Sequence, residues 1–254
     1  MPASRKKQKT IIANWKMNPL SLKEANEIVF KLVSLPKNIS VKSKIIICPP
    51  FVWLNDLIRI NKDIDFGSQN CSWENKGAYT GEISPVMLKN AGCKYVILGH
   101  SERKKYFNEG YDLVNKKIQG ALEAGLKVIL CIGESEKNPD AKYDEILAQI
   151  TAAFDKISKN DINKILLVYE PAWAVSAVSK GESDTPANAE SSAILIKKFM
   201  VKLYNHDILD KIKVLYGGSV NSKNSQEFLK ENDIDGLLVG AASLDADEFI
   251  KIIS

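Results

Sequence analysis

Long hydrophobic runs are missing. No apolar stretch approaches the roughly 20 residues that cross a bilayer, and the longest, such as Ile165 to Tyr169, have only strand length. The start, MPASRKKQK, is basic like a secretory leader, yet only Ile11, Ile12 and Ala13 follow before Asn14, too few for an apolar leader core. Residues 1–9 therefore read as a frayed, solvated tail. The chain has only two histidines, and its four cysteines, Cys48, Cys71, Cys93 and Cys131, lie far apart with no CxxC pair. That scarcity speaks against a zinc site and a disulfide framework, and suits free thiols in a reducing cytosol. No dense basic stripe is present: 35 basic against 31 acidic residues leave +4, with the lysines scattered. Such a balance favours approach of small anions and does not suggest a nucleic-acid binder. No linker or low-complexity segment divides the chain, and no GxGxxG follows the first apolar run, where a dinucleotide fold carries it.

What is present is ordinary globular material: 254 residues, 45% hydrophobic and 26% charged. At roughly 150 residues per domain the length fits one large domain or two small ones. Eight short, β-branched-rich apolar runs recur: Thr10 to Ala13, Lys44 to Cys48, Asp65 to Ser68, Tyr95 to Leu98, Lys127 to Ile132, Lys164 to Tyr169, Lys213 to Tyr216 and Gly236 to Val239. Their apolar positions are consecutive, which marks parallel strands buried on both faces. Between them lie helical spacings, for example Leu22, Ala25, Ile28, Val29 and Leu32, or Ile146, Ile150, Ala153, Phe154 and Ile157. Ser21 with Glu24, and Asp245 with Glu248, have capping-box spacing, and Thr185-Pro186 is an N-cap followed by a first-turn proline. Eight units of roughly 32 residues each match the βα repeat. The expected fold is α/β, a single-domain (β/α)8 barrel spanning residues 1–254; an open doubly wound sheet is the competing architecture.

In such a barrel, chemistry sits at the C-terminal ends of the strands. Polar residues gather there: Asn14 and Lys16 after the first run, His100 and Glu102 after the fourth, Glu170 after the sixth. Gly217, Gly218 and Ser219 follow the seventh run and Gly240 the eighth, where backbone N–H groups can approach a phosphate closely. A lysine, a histidine, a carboxylate and a phosphate cradle suit acid-base chemistry on a phosphorylated carbonyl compound. Taken singly, Lys16 reads as a solvated lysine, Glu170 as a surface carboxylate, His206 as a surface histidine and Met17 as a packing residue.

The motifs NWKMN (Asn14 to Asn18), GAYTGEIS (Gly77 to Ser84), GHSER (Gly99 to Arg103), CIGE (Cys131 to Glu134), YEPAWA (Tyr169 to Ala174), YGGSV (Tyr216 to Val220) and LLVGAASL (Leu237 to Leu244) occur in one order. In order and spacing the chain resembles the triosephosphate isomerases from about Thr10 to its last helix. That resemblance implies a cofactor-free, metal-free aldose-ketose isomerase of glycolysis and gluconeogenesis. It would interconvert dihydroxyacetone phosphate and D-glyceraldehyde 3-phosphate through an enediolate. It assigns Glu170 as general base, His100 as neutral electrophile, Lys16 as fixed positive charge, Asn14 as hydrogen-bond donor and Glu102 as the group that positions Lys16. Ser101 would hold Glu170 before closure of a lid that follows Glu170. Phosphate would rest on N–H groups of Ser176, Ser219, Gly240 and Ala241, and Tyr216 with Ser219 would latch the lid. It also implies a cytoplasmic homodimer, with the Cys71 to Thr80 loop entering the neighbour near Asn14 and Lys16, and no nucleic-acid or membrane partner.

The chain departs from the family in the lid. Ser176, Ala177 and Val178 replace a glycine-threonine-glycine tip, the segment from Glu170 to Pro186 is about three residues longer, and Lys180-Gly181 is a candidate far hinge. Ala241 stands where a second glycine is usual, Ala172 replaces a larger aliphatic residue, and Lys104 stands where arginine is common, a change expected to be silent. Two rival readings remain: an isomerase of a larger sugar phosphate, and a catalytically idle barrel serving as a binding or scaffold protein. The retained Lys16, His100 and Glu170 argue against both.

Overall fold

The computed structural model describes residues 8–35, 41, 43–175 and 184–254. Eight strands alternate with helices: β1 (Thr10–Asn14), β2 (Lys44–Cys48), β3 (Asp65–Ser68), β4 (Tyr95–Leu98), β5 (Lys127–Ile132), β6 (Ile165–Tyr169), β7 (Lys213–Tyr216) and β8 (Gly236–Val239). Each strand pairs in parallel with the next, and β8 pairs with β1, so the sheet closes into a barrel. The helices are α1 (Leu22–Val33), α2 (Phe51–Ile60), α3 (Pro85–Asn90), α4 (Ser101–Phe107), α5 (Tyr111–Glu123), α6 (Pro139–Ala153), α7 (Pro186–Tyr204), α8 (Ser225–Lys230) and α9 (Ala246–Ile253).

Burial on both faces explains the uninterrupted apolar runs. Ile12, Ile46, Ile97, Ile129, Val168, Leu215 and Leu238 fill the barrel, while their neighbours Ile11, Ile47, Val96, Leu130, Leu167, Val214 and Leu237 pack outward against the helices. Successive side chains of a strand point to opposite faces, so a strand enclosed on both sides has no place for a polar alternate. The four cysteines are buried and free, as small core side chains.

The end signals act with two differences. Ser21 accepts from Glu24 N and Thr185 from Asn188 N, as their N-cap spacing requires. Glu24 reaches back to Leu20 N, one residue beyond the expected box. Asp245 accepts from Asp247 N and Glu248 N, but the Glu248 carboxylate crosses to Ser222 N at 2.7 Å and ties α9 to the β7–α8 loop. The apolar pattern through Ile157 outruns its helix: α6 ends at Ala153, and Lys156 at φ 57° reverses the chain while Ile157 stays buried. Lys164 closes a 3₁₀ turn (Lys159–Lys164) and does not begin β6. Lys9, assigned to the tail, is half-buried, and its ammonium donates to the carbonyls of Glu231 and Ile234. Among the described residues no helix is long and apolar enough to cross a membrane.

Candidate active site

Asn14, Lys16, His100, Glu102, Glu170, Ser219, Gly240 and Ala241 line one cavity of about 310 Å³ at the C-terminal mouth of the barrel. That volume lies at the small end of ligand pockets. Ser176 and the tip and far-hinge positions 177, 178, 180 and 181 lie outside the described residues.

β1 delivers Asn14 at its last position and Lys16 two residues on. Asn14 Oδ1 accepts from Lys16 N at 3.1 Å, holding a turn in which Lys16 takes φ 53°. A non-glycine residue with positive φ persists where its surroundings over-determine it, commonly at functional sites. Gln69, just past β3, supplies part of that constraint: its Nε2 donates to Lys16 O at 2.8 Å and Cys48 O at 2.9 Å. Sequence reasoning missed Gln69; its one signal is a polar amide at a strand's C-terminal end. Lys16 Nζ meets Glu102 Oε1 at 2.7 Å, with both side chains about a quarter exposed.

His100 leaves β4 through the Gly99 turn, whose φ of 70° suits glycine. Its Nδ1 accepts from Glu102 N at 3.2 Å, the N-cap bond of α4. That bond assigns Nδ1 as an acceptor, which places the ring proton on Nε2. Nε2 lies 2.8 Å from Glu170 Oε1. His100 and Glu170 are 5% and 2% exposed, so this donor and acceptor face each other away from bulk water.

Glu170 follows β6, where its N donates to Ile132 O at 2.8 Å. Its Oε2 accepts from the backbone N–H of Ser101 at 3.0 Å, and the Ser101 hydroxyl is buried without a partner. The serine's expected hold on Glu170 is thus made by the amide. Burial pushes the Glu170 carboxyl up, but His100, the Ser101 N–H and the nearby Lys104 charge outweigh it and hold the group below the ordinary carboxylate value. Lys104 Nζ donates to Tyr111 Oη at 2.7 Å, and burial lowers its own pKa. Gly133 backs Glu170 from β5: a Cβ there would lie 2.2 Å from Glu170 O, so only glycine allows this approach.

On the phosphate side, Ala241 opens a 3₁₀ turn (Ala241–Ser243), whose first N–H groups have no partner within the turn. Ala241 is absent from the positive-φ residues, so the position does not require glycine for its conformation. Ser219 is engaged elsewhere: its N–H and Oγ both donate to Ala174 O, at 3.0 and 2.8 Å. It therefore ties the β7–α8 loop to the segment just after β6. Among the described residues the Tyr216 hydroxyl is buried with no hydrogen-bond partner. His206 is exposed, as expected. Met17 is 88% exposed, against the expectation of a packing role.

A family model described as triosephosphate isomerase matches residues 9–254. The chain belongs to the triosephosphate isomerase family. It is 43% identical over 248 residues to the triosephosphate isomerase of Caldanaerobacter subterraneus subsp. tengcongensis, covering 96% of this chain and 98% of that one. Against the triosephosphate isomerase of Dictyoglomus thermophilum it is 42% identical over 251 residues, 97% and 99% of the two chains. Against that of Geobacter metallireducens it is 40% identical over 248 residues, 96% and 97% of the two. The chain thus keeps close to the full length of these relatives.

Proposed function

We propose that this chain interconverts dihydroxyacetone phosphate and D-glyceraldehyde 3-phosphate, as a glycolytic and gluconeogenic isomerase of the cytoplasm that needs no cofactor. The observation that carries this reading is the buried facing pair of His100 Nε2–H and the Glu170 carboxylate in the cavity that also holds Lys16 and Asn14. Glu170 removes the proton from C1 of the ketone and returns it to C2. Substrate entering between the pair takes the carboxylate out of its bond to His100, and in a water-poor site that carboxylate is a stronger base. The freed Nε2–H then donates to the C2 carbonyl oxygen as negative charge develops on it, and the ring takes the C1 hydroxyl proton in exchange, so that O2 ends as the hydroxyl and O1 as the aldehyde oxygen. Lys16, held toward the cavity by Glu102, stabilises the enediolate and the phosphate, and the Asn14 amide adds a hydrogen bond. The phosphate accepts from N–H groups of Gly240 and Ala241, from Ser219 once it exchanges Ala174 O for a phosphate oxygen, and from Ser176.

The working unit we propose is a homodimer. Met17 and Leu20 are 88% and 86% exposed beside the site, apolar surface that a partner would cover. Residues 75–82 stand exposed on a stalk whose base is closed by Ser72 N to Ile83 O at 2.8 Å, with Trp73 and Tyr79 edge to face at 5.5 Å. Thr80 on that loop would enter the neighbour's site near Asn14 and Lys16. The four free cysteines suit a reducing compartment.

The test is isomerisation of glyceraldehyde 3-phosphate by the purified protein, coupled to a reductase that consumes the product, with Glu170→Gln in parallel. Turnover lost in the variant supports the reading. No turnover from folded protein refutes it in favour of the idle barrel.

A further inference from the structure

We propose that Lys142, outside the cavity, is a positioning residue that joins the two ends of the segment running from Glu170 to Pro186 and so fixes the placement of Glu170. The inference rests on the isomerase reading and adds a residue to it.

At the upstream end, Glu134 Oε1 accepts from both Tyr169 Oη, at 2.7 Å, and Trp173 Nε1, at 3.0 Å, while Glu134 O accepts from Ala172 N at 2.9 Å. Residues 169, 172 and 173 bracket Glu170 and all hang on one buried glutamate. At the downstream end, Asp184 Oδ1 accepts from Thr185 N at 2.8 Å and Asn188 Nδ2 at 2.6 Å, and Thr185 caps α7. Lys142 on α6 touches both ends. Its Nζ sits 5.2 Å from the centre of the Tyr169 ring and donates to Asn188 Oδ1 at 3.0 Å. The path therefore runs Glu134, Tyr169, Lys142, Asn188, Asp184, with each link a hydrogen bond or a cation–π contact.

Charge explains why a lysine belongs there. Glu134 Oε2 and Asp184 Oδ2 are both buried without a hydrogen-bond partner, so a carboxylate with an unmet oxygen stands at each end of the path that the ammonium joins. Burial raises the Asp184 carboxyl, and the charge of Lys142 acts against that rise. Without the ammonium, Asn188 loses the contact that orients its amide toward Asp184, and Tyr169 loses the cation over its ring. Tyr169 immediately precedes Glu170, so its freedom is passed to the base, and about 1 Å of misplacement can cost on the order of 100-fold in rate.

The experiment compares steady-state kinetics of the full chain with Lys142→Met, Asn188→Ala, the double variant and Lys142→Arg, alongside wild type and Glu170→Gln. A partial loosening should lower kcat about tenfold in each single variant with KM within about twofold, as an effect on the chemical step requires. The double variant should be no worse than the poorer single, because both break one path. Lys142→Arg, which keeps the charge and the donor, should restore most of kcat. Unchanged kcat in Lys142→Met, or single effects that multiply to about 100-fold in the double variant, would overturn the proposal. If Lys142→Met does not fold, Lys142→Gln takes its place in the comparison, with Lys142→Arg still expected to keep most of kcat. Wild type without turnover, or Glu170→Gln with full turnover, refutes the isomerase reading itself and removes the role of Lys142 with it.

Discussion

Gly133→Ala is the smallest change that should move Glu170 without touching its side chain. A Cβ at Gly133 would lie 2.2 Å from Glu170 O, 2.5 Å from Glu170 C and 2.8 Å from Pro171 N. All three are backbone atoms, so no rotamer change relieves the clash. Reaching the 3.0 Å floor of real Cβ contacts needs about 0.8 Å of displacement between β5 and Glu170. Gly133 resists moving because its N–H and C=O are both bonded to the Gln149 side chain at 2.9 Å. The displacement therefore falls largely on the Glu170 backbone, and by the sensitivity of aligned reactions should lower kcat about 100-fold. Overpacking should also cost about 1–3 kcal/mol of stability, a fall of roughly 2–12 °C in Tm for a chain of this size. Gly110→Ala, where an added Cβ meets nothing within 4 Å, is the control and should keep wild-type kcat. Coupled kinetics with thermal melts decide the matter: a folded Gly133→Ala protein within about threefold of wild-type kcat would refute the reasoning that backbone placement of Glu170 limits the rate.

Three further outcomes are expected. Gln69→Leu removes the amide donor from Lys16 O and Cys48 O, of which Cys48 O keeps the Trp15 N–H at 3.2 Å; it should lower kcat/KM about tenfold and destabilise the fold by about 1–3 kcal/mol, and unaltered kinetics would show that the Lys16 turn holds without it. Glu170 is held below the ordinary carboxylate value, so its contribution to stability is fully present above the unfolded value of about 4.3 and is lost as pH falls through the lower folded one. Carboxyl NMR titration against Glu170→Gln should place that midpoint below about 4.3, and a midpoint above it would contradict the His100 and Ser101 contacts. Met17→Glu places a charge on the surface assigned to the dimer. Sedimentation should then show monomer with weakened turnover; an unchanged dimer would remove Met17 from the interface.

The barrel was legible because parallel strands enclosed on both faces leave continuous apolar runs, and glycine and cap residues mark where each unit turns. Edges were less legible where local chemistry competes: Lys164 serves a 3₁₀ turn, and Ile157 keeps helical spacing beyond a chain reversal at Lys156. The polar residues brought to one mouth could be placed by strand position alone, before any resemblance. Gln69 and Gly133 could not, since their importance lies in what another strand brings beside them. Met17 was misread because an apolar residue type does not by itself say which side of a strand-to-helix turn it faces, and this one is exposed. Ser219 and Tyr216 were both expected to latch the lid, whose tip lies outside the described residues; within those residues Ser219 donates to Ala174 O and the Tyr216 hydroxyl has no partner.

The central claim is that Glu170 carries the proton between carbons. Isomerisation of glyceraldehyde 3-phosphate in D₂O, followed by proton NMR of the product, tests it most directly. A carboxylate that takes up and returns the proton exchanges with solvent, so wild type should place deuterium on C1 of dihydroxyacetone phosphate and Glu170→Gln should place almost none. Product formed at full rate by Glu170→Gln, or a wild-type product free of solvent deuterium as a hydride shift would give, would contradict it.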